Sequence, residues 1–534
     1  MDEKEYGENK TSWSSFRKEI LGKPIYFICC IFIIMLSFLF DLTNRTVGVD
    51  DLARPIYFGD SKECIAATRW GQPLWAGLLS DTEFAPFIDK FLSILFLLAG
   101  AILFSLILYQ YFSHSIHKLL LCTMFSCLYI SFPLINEIWN YNGVNTNFTG
   151  NAMLAAVCIL LLHNEKSMFS RASVISSFLL SVVVSSYESG AFLYVSAVLS
   201  VILMDLVMKD RRQWLTNGVR YAVPLIGGLV LRFAIGFVLI FINRLQYAAN
   251  GATEISWNIA ENLPAQIAAL LDNTFNCYFA RGLIYFPILM FDIALAAGAA
   301  VFITAAVRKK DWTIILLYLL LCCSLFFQEL VQGTLMPYRT AQPLQYFTAF
   351  AITIFLFFLS LSGKRFLLTI SVILCCFLCY RQGVFLNRTF ALNNQRSDNE
   401  AALAHNIGYR LKSMYDDKPV IFVGEPDLGN NIRYQLNESM STIGGRIYKK
   451  LAGFFGWMHD INTVYETDIM SVLLWNSAAY YSQTMMGRYF SYYGYDIQVW
   501  DSNDTYPYKL IAIEGGMKPG EIRDMGEYLL VFLG

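Results

Sequence analysis

Long apolar runs recur through the first 384 residues of this chain and constrain its fold more than any other feature. They are roughly 17 to 24 residues long, and about 20 apolar residues in a helix cross a hydrocarbon core about 30 Å thick. Hydrophobic residues make up 56% of the sequence and charged residues 15%, whereas about 25% of the residues in soluble globular proteins are charged. The composition therefore excludes a water-soluble fold and predicts a polytopic α-helical membrane protein.

About eleven candidate spans follow from these runs. The first comes after a polar arm, residues 1–24, and has no small-residue cleavage site behind a short hydrophobic core, so we expect it to be retained. The predicted spans are Ile25–Phe40, Phe91–Phe112, Leu119–Ile135, Phe148–Leu162, Val174–Ser186, Gly190–Met208, Tyr221–Ile242, Leu283–Val307, Trp312–Phe327, Gln345–Leu361 and Phe366–Cys379.

The basic residues predict how these spans are oriented. If residues 1–24 are cytoplasmic, every loop on the same side carries Lys or Arg, whereas residues 136–147 on the opposite side carry neither. An odd number of spans then places residues 385–534 outside the cytoplasm. The transmembrane region is predicted to be residues 25–384, with a catalytic first outside loop at residues 42–90.

Beyond residue 384 the sequence becomes polar and has no run long enough to span a membrane. A helix is predicted at Asp398–Tyr415, and strands are predicted at Pro419–Gly424, Tyr508–Ile513 and Tyr528–Leu533. We expect a small C-terminal extracytoplasmic α/β domain.

Charge and cysteine content exclude other classes. The formal net charge is −1 at pH 7 and no basic stripe is present, which argues against a nucleic acid partner. Most of the 12 cysteines lie within apolar runs, where cysteine behaves as a small hydrophobic residue. Cys64 and Cys277 are predicted in outside loops, and a disulfide between them is left open.

Charged residues are concentrated in the first outside loop, where Asp50 and Asp51 are followed by Arg54 and Arg69. One carboxylate of such a doublet can remove a hydroxyl proton while arginine holds an anionic leaving group. Two aspartates before a leucine are also a common helix N-terminal signal, and this alternative stays open.

Other polar residues are predicted at the outer ends of spans, where ionisable groups are costly and often functional. The cavity-lining candidates are Glu137, Tyr187, Glu188, Glu329 and Tyr338. Arg339 is suited either to a lipid phosphate or to anchoring at the headgroups. Arg232 falls within a span and requires a partner that the sequence does not identify.

Three segments resemble the glucosyl transferase type II family of serotype-converting glucosyltransferases. Val49-Asp-Asp-Leu-Ala-Arg54 is similar to that family's Asp-Asp-x-x-Arg, and Tyr338-Arg339 followed by Pro343 is similar to its Arg-x-x-x-Pro. Arg69-Trp-Gly-Gln-Pro-Leu74 resembles its Gly-Arg-Pro-Leu-like turn, although here Thr68 precedes the arginine and the glycine is displaced to Gly71.

The resemblance implies a GT-C glycosyltransferase of the bacterial inner membrane. Such an enzyme moves one sugar, here glucose, from a polyprenyl-phosphate donor to a surface polysaccharide such as O-antigen on the extracytoplasmic face. Asp50 or Asp51 would be the general base, and Arg54, Arg69 and Arg339 would stabilise the departing phosphate. A divalent cation, Mg²⁺ or Mn²⁺, is left open.

The implied partners are the lipid-linked sugar, a polysaccharide or lipid-linked glycan acceptor and the bilayer, with functional coupling to a lipid-sugar flippase and a donor-making synthase. Two other classes remain as alternatives. A lipid-linked sugar flippase or transporter would carry polar groups near the middle of the membrane and repeated halves, neither of which is evident here. A polysaccharide polymerase or ligase would use a lipid-pyrophosphate glycan.

Overall fold

A computed structural model describes residues 12–44, 46, 62–79, 86–112, 115–140, 145–163, 165, 167–209, 214–247, 257, 263–280, 286–336, 338–414, 416–424, 443–455, 483–500 and 504–534. The chain divides into two compact units. The first comprises Met1–Leu42, Ser61–Ile138 and Gly143–Asn387, and the second comprises Thr43–Asp60, Trp139–Asn142 and Arg388–Gly534.

In the described part of the first unit, all regular elements are helices or helical turns. Its helices are α1 (Ser12–Phe16), α2 (Pro24–Thr43), α3 (Lys62–Ala66), α4 (Gly71–Leu79), α5 (Pro86–Tyr109), α6 (Lys118–Ile130), α7 (Asn145–His163), α8 (Arg171–Ser186), α9 (Ser189–Lys209), α10 (Trp214–Ile242), α11 (Leu263–Phe275), α12 (Phe286–Lys309), α13 (Thr313–Ser324), α14 (Phe327–Gln332), α15 (Gln342–Leu361) and α16 (Arg365–Met414), the last of which ends in the second unit. Short π-helical turns occur at Arg17–Leu21 and Asn276–Ala280, and 3₁₀ turns at Pro133–Asn140 and Tyr338–Thr340.

Eight described helices are long and apolar enough to cross a membrane. They lie at Pro24–Thr43, Phe87–Tyr109, Asn145–His163, Ser189–Lys209, Trp214–Ile242, Phe286–Lys309, Gln342–Leu361 and Arg365–Met414. The prediction of a polytopic helical membrane protein is therefore confirmed.

The count of eleven spans stays a prediction. Each predicted span has a corresponding helix, but α6, α8 and α13 contain only 13, 16 and 12 residues. These lengths fall short of the about 20 residues that a perpendicular span requires. The predicted span Leu119–Ile135 is shortened because Pro133 cannot continue an α-helix and begins a 3₁₀ turn instead.

Close helix packing in the first unit depends on small residues. Helix α8 packs along α10, α5 along α7 and α12 along α15. At Gly228 of α10, a Cβ atom would lie 2.9 Å from Leu180 Cβ, and at Gly236 it would lie 2.8 Å from Thr68 Cβ. Because residues four apart share a helix face, Arg232 lies between these two glycines on the packed face of α10.

The second unit contains the three described strands, β1 (Val420–Val423), β2 (Glu521–Asp524) and β3 (Leu529–Phe532), and the helices α17 (Ile443–Phe455), α18 (Gln483–Tyr492) and α19 (Tyr506–Glu514). The strand order is β1-β3-β2, with β1 parallel and β2 antiparallel to β3. Strand β3 is central because it pairs with both other strands, and every residue of β1 and β3 is buried.

The structure tests the local predictions for this unit. The strands predicted at Pro419–Gly424 and Tyr528–Leu533 are confirmed, and the predicted helix Asp398–Tyr415 forms the end of α16. The strand predicted at Tyr508–Ile513 is wrong, because these residues belong to α19. Proline near the start of α19 lacks an N–H group, which a first helical turn does not need. The boundary at residue 385 and the extracytoplasmic location stay predictions.

Candidate functional site

The predicted acidic doublet lies in a part of the chain that the structure does not describe. Asp50, Asp51 and Arg54 lie outside the described residues, as does the side chain of Arg339, whose backbone forms part of the turn Tyr338–Thr340. Their predicted roles therefore stay predictions.

Two arginines converge on one glutamate in the first unit. Arg69 contacts Glu188 through both Nε and Nη2, at 3.4 Å to Oε1 and 3.1 Å to Oε2. Arg232 donates from Nη2 to Oε1 of the same carboxylate at 2.7 Å. The side chains are 12%, 5% and 15% exposed for Arg69, Arg232 and Glu188, so the three charges are largely removed from water. We call these three residues the arginine–glutamate cluster.

The chain around Arg69 is held tightly against α8 and α10. Thr68 has a φ of 57°, a left-handed conformation rare for a β-branched residue. Trp70 donates from its indole to the backbone carbonyl of Arg232 at 3.1 Å, and Gln72 donates to the carbonyl of Ser186 at 2.9 Å. These contacts fix the segment that carries Arg69 beside the residues that surround Glu188.

Glycine allows this close approach. A Cβ atom on Gly71 would lie 2.4 Å from Ser186 Oγ and 2.5 Å from Ser185 Oγ, distances that real Cβ contacts do not reach. The displaced glycine of the sequence motif therefore has a structural role, because any side chain at residue 71 would push α4 away from the end of α8.

The cluster carries one more positive than negative charge. Burial alone would raise the pKa of the Glu188 carboxyl, but Arg69 and Arg232 outweigh burial and hold it below its ordinary value. Glu188 is therefore ionised at neutral pH and neutralises one of the two guanidinium groups. The Nε of Arg232 is buried and has no hydrogen-bond partner among the described residues. An anion is the ligand that such an arrangement favours.

Of the five cavity-lining candidates, Glu188 belongs to the cluster and Tyr187 lies beside it, whereas the other three lie elsewhere. The guanidinium of Arg69 is 5.8 Å from the centre of the Tyr187 ring. Glu137 is buried in the turn Pro133–Asn140, and Tyr338 contacts Cys277 at 3.2 Å. Glu329 is buried on α14, outside the candidate spans, and burial raises its pKa to about 7.

The disulfide left open between Cys64 and Cys277 is not present. Both cysteines are buried free thiols. The thiol of Cys64 donates to Gln72 Oε1 at 3.4 Å, and that of Cys277 contacts the Tyr338 hydroxyl. In the part of the chain that the structure describes, no group of three or more His, Cys, Asp or Glu side chains could hold a metal ion.

Two polar features were not identified from the sequence. Asp41 and Lys90 form a buried ion pair at 2.6 Å between α2 and α5, with side chains 4% and 3% exposed. The first two turns of α7, Asn145-Thr-Asn-Phe-Thr-Gly-Asn151, are completely buried. Three asparagines at the start of an otherwise apolar helix were the available signal, but the prediction placed the start of this span at Phe148.

Comparison with known proteins identifies the family. Neither the curated proteins nor the solved structures give a match. A family model described as glucosyl transferase GtrII matches residues 39–361, which is more than half of the chain and includes the whole arginine–glutamate cluster. The chain therefore belongs to the GtrII family of glucosyl transferases.

Proposed function

We propose that this membrane glucosyltransferase moves a single glucose from a polyprenyl-phosphate donor to a surface polysaccharide such as O-antigen on the extracytoplasmic face of the bacterial inner membrane. The observation that carries the proposal is the excess positive charge of the buried cluster formed by Arg69, Glu188 and Arg232. A phosphodiester between a sugar and a lipid has one negative charge and would balance it.

The same charge suits the chemistry of the departing phosphate. When the bond to the sugar breaks, the lipid phosphate gains negative charge, and guanidinium groups already in position stabilise it without reorganisation. Their effect is greatest where water is excluded, as it largely is around Arg69 and Arg232. Arg54 and Arg339 are proposed to assist from the outer face. No general acid is needed because phosphate leaves as an anion.

The general base is proposed to be Asp50 or Asp51. Glu188 is unsuited to this role, because its two arginine partners lower its pKa and occupy its carboxylate oxygens. Direct attack by the acceptor hydroxyl gives a single displacement, so the product should have the anomeric configuration opposite to that of the donor. A divalent cation, Mg²⁺ or Mn²⁺, could take part at the aspartates.

The remaining partners follow from the donor. A sugar that is attached to its lipid inside the cell requires a synthase on the cytoplasmic face and a flippase that brings it outside. The N-terminal arm is accordingly proposed to be cytoplasmic and residues 385–534 to be extracytoplasmic, where they would meet the acceptor glycan.

The test is transfer by the purified full-length protein in lipid nanodiscs, supplied with polyprenyl-phosphate glucose and a polysaccharide acceptor. Asp50→Asn or Asp51→Asn should lower the rate about 10²-fold or more, as expected for loss of a general base. Asp272→Asn is the matched control, because Asp272 is exposed on α11 and should keep wild-type activity. Equal thermal unfolding midpoints would show that the variants are folded.

Each other outcome has a defined meaning. Wild-type rates in both aspartate variants would remove the base assignment. Movement of the lipid-linked sugar across the membrane without transfer would favour a flippase, and activity only with a lipid-pyrophosphate glycan would favour a polymerase or ligase. Retention of anomeric configuration would exclude single displacement.

A further inference from the structure

Polar side chains line the buried start of α7. Residues 145–151 of this helix are all buried, although five of the seven are Asn or Thr. Two of these hydroxyls have protein partners: Thr146 donates to Asp89 at 3.0 Å, and Thr149 donates to the carbonyl of Asn145 at 3.1 Å. The threonines are therefore explained by the fold alone.

Two asparagines of the same segment are not explained in this way. Asn151 is 0% exposed, and neither its carboxamide oxygen nor its nitrogen has a hydrogen-bond partner among the described residues. Asn147 is 1% exposed, and its carboxamide oxygen likewise lacks a partner there. An unpartnered buried polar group lowers the free energy of unfolding, because it gives up its hydrogen bonds to water and gains none in the protein. The two residues are four apart and so share one helix face.

A third unpartnered group belongs to α4, which packs across this part of α7. The indole Nε1 of Trp75 is buried and has no hydrogen-bond partner in the described structure. The Trp75 ring lies directly on the helix backbone, since a Cβ atom on Gly150 would be 2.9 Å from two of its ring atoms. Gly150 lies three residues after Asn147 and directly before Asn151, so the Trp75 ring packs on the helical turn that carries both asparagines.

These groups adjoin the arginine–glutamate cluster. A Cβ atom on Gly190, two residues after Glu188, would lie 3.3 Å from Asn151 Cβ. The centre of the Phe148 ring lies 4.3 Å from that of Tyr187, with the two ring planes tilted by 52°, and Tyr187 itself contacts Arg69. The start of α7 and the start of α9 thus border the same site.

A nearby carboxamide, that of Gln342, has hydrogen-bond partners on both α7 and α9 and holds the two helix starts together. Gln342 of α15 accepts from Ser189 Oγ at 3.1 Å and donates to the carbonyl of Phe148 at 2.9 Å. It therefore joins α7 to α9 beside the two asparagines.

We propose that Asn147, Asn151 and Trp75 bind the hydroxyl groups of the sugar whose phosphate meets the arginine–glutamate cluster. This inference rests on the proposed function. Each hexose hydroxyl both donates and accepts, and a carboxamide offers two donors and an acceptor oxygen, so neighbouring hydroxyls can pair with both ends of one asparagine. The indole N–H supplies a further donor, and specificity arises because a sugar lacking the matching hydroxyl leaves these buried groups unpaired.

The test compares two lipids, polyprenyl-phosphate glucose and polyprenyl phosphate without sugar, bound to the full-length protein in nanodiscs and titrated by thermal shift. Asn151→Leu should weaken the apparent Kd for the glucosyl lipid about tenfold, the effect of losing about 1.4 kcal/mol of hydrogen bonding, and leave that for the bare lipid unchanged. Asn147→Leu repeats the test at an independent position.

The unfolding midpoint of the ligand-free protein distinguishes a role of Asn151 in sugar binding from a role in folding. Removing an unpartnered polar group should leave the unfolding midpoint of Asn151→Leu at or above that of the wild type. The matched control is Gln345→Leu, which removes a buried carboxamide that does have a partner, the carbonyl of Tyr129 at 2.8 Å, and should lower the midpoint.

Three results would overturn the inference. If both asparagine variants bind the glucosyl lipid as the wild type does, the sugar site is wrong while the proposed donor stands. If Asn151→Leu destabilises the free protein as much as Gln345→Leu does, Asn151 serves folding. If neither lipid binds the wild type, the proposed donor is wrong and the sugar site with it.

Discussion

Arg232 and Glu188, 44 residues apart in the sequence, form a hydrogen-bonded ion pair of 2.7 Å with side chains 5% and 15% exposed. Arg69 completes the cluster from a segment that precedes Glu188 by more than a hundred residues. Because the carboxylate serves two cations at once, its removal affects three parts of the chain together.

Glu188→Gln should lower the stability of the protein by about 3 kcal/mol or more, since removing one partner of a buried ion pair leaves an uncompensated charge. The measurement is the thermal unfolding midpoint in nanodiscs. Glu19→Gln is the comparison, because Glu19 pairs with Lys118 at 3.4 Å on the surface and such pairs contribute less than about 1 kcal/mol. Equal effects of the two substitutions would contradict the structural importance of Glu188.

Under the proposed function, Arg69→Gln should reduce kcat/KM for a polyprenyl-phosphate glucose donor about 10²- to 10³-fold, the scale for losing one charged hydrogen-bond donor to a developing anion. The remaining pair, Arg232 with Glu188, is neutral, so the excess positive charge is gone. Steady-state transfer assays measure the effect. Arg244→Gln, at an exposed turn, should keep wild-type kinetics, and a similar loss there would indicate a general charge effect.

Asp41→Asn should destabilise the protein by about 3 kcal/mol or more by leaving Lys90 without its buried counter-ion. The double substitution Asp41→Leu with Lys90→Leu should recover most of this loss, because apolar replacement of a whole buried ion pair is often neutral or stabilising. Unfolding midpoints of the wild type and the two variants test this. A double variant less stable than Asp41→Asn would be inconsistent with a simple buried pair.

Stability should fall as pH rises from about 4.5 to 7 through the titration of Glu329. Burial raises its pKa from 4.5 to about 7, so in this window the folded protein keeps a proton that the unfolded chain has lost. Below pH 4.5 Glu329 is protonated in both states and does not lower the free energy of unfolding. Above pH 7 the free energy of unfolding is lower by about 3 kcal/mol.

Glu329→Gln should remove that pH dependence and be more stable than the wild type at pH 8. Unfolding midpoints measured between pH 4.5 and 8 provide the comparison. Glu514→Gln, an exposed position on α19, should keep the wild-type profile. A Glu329→Gln profile that still declines across the window would assign the titration to another group.

The helices and the family motifs could be predicted from the sequence, because the length of an apolar run determines the first and the local order of residues determines the second. All eleven predicted spans correspond to helices, but their ends depend on local chemistry, as Pro133 shows. The strand predicted at Tyr508–Ile513 failed because a short apolar run has the same composition in a strand and in an amphipathic helix.

The candidate site could be predicted only in part, because it depends on contacts between residues that are far apart in the sequence. Glu188 and Arg69 were selected singly by their charge and predicted position, and Arg232 was known to need a partner. Only the fold brings the three together. Asn147 and Asn151 were missed because neutral polar residues at a helix start are ordinary unless their burial and lack of partners are known.

Without a counter-ion, Arg69 and Arg232 would repel each other in surroundings from which water is largely excluded. Glu188 acts as a resident counter-ion that offsets this repulsion. Under the proposed function, Glu188 would also limit how strongly the released lipid phosphate is held, because the cluster keeps only one net positive charge. Release of the product and stability of the empty site would then depend on the same carboxylate.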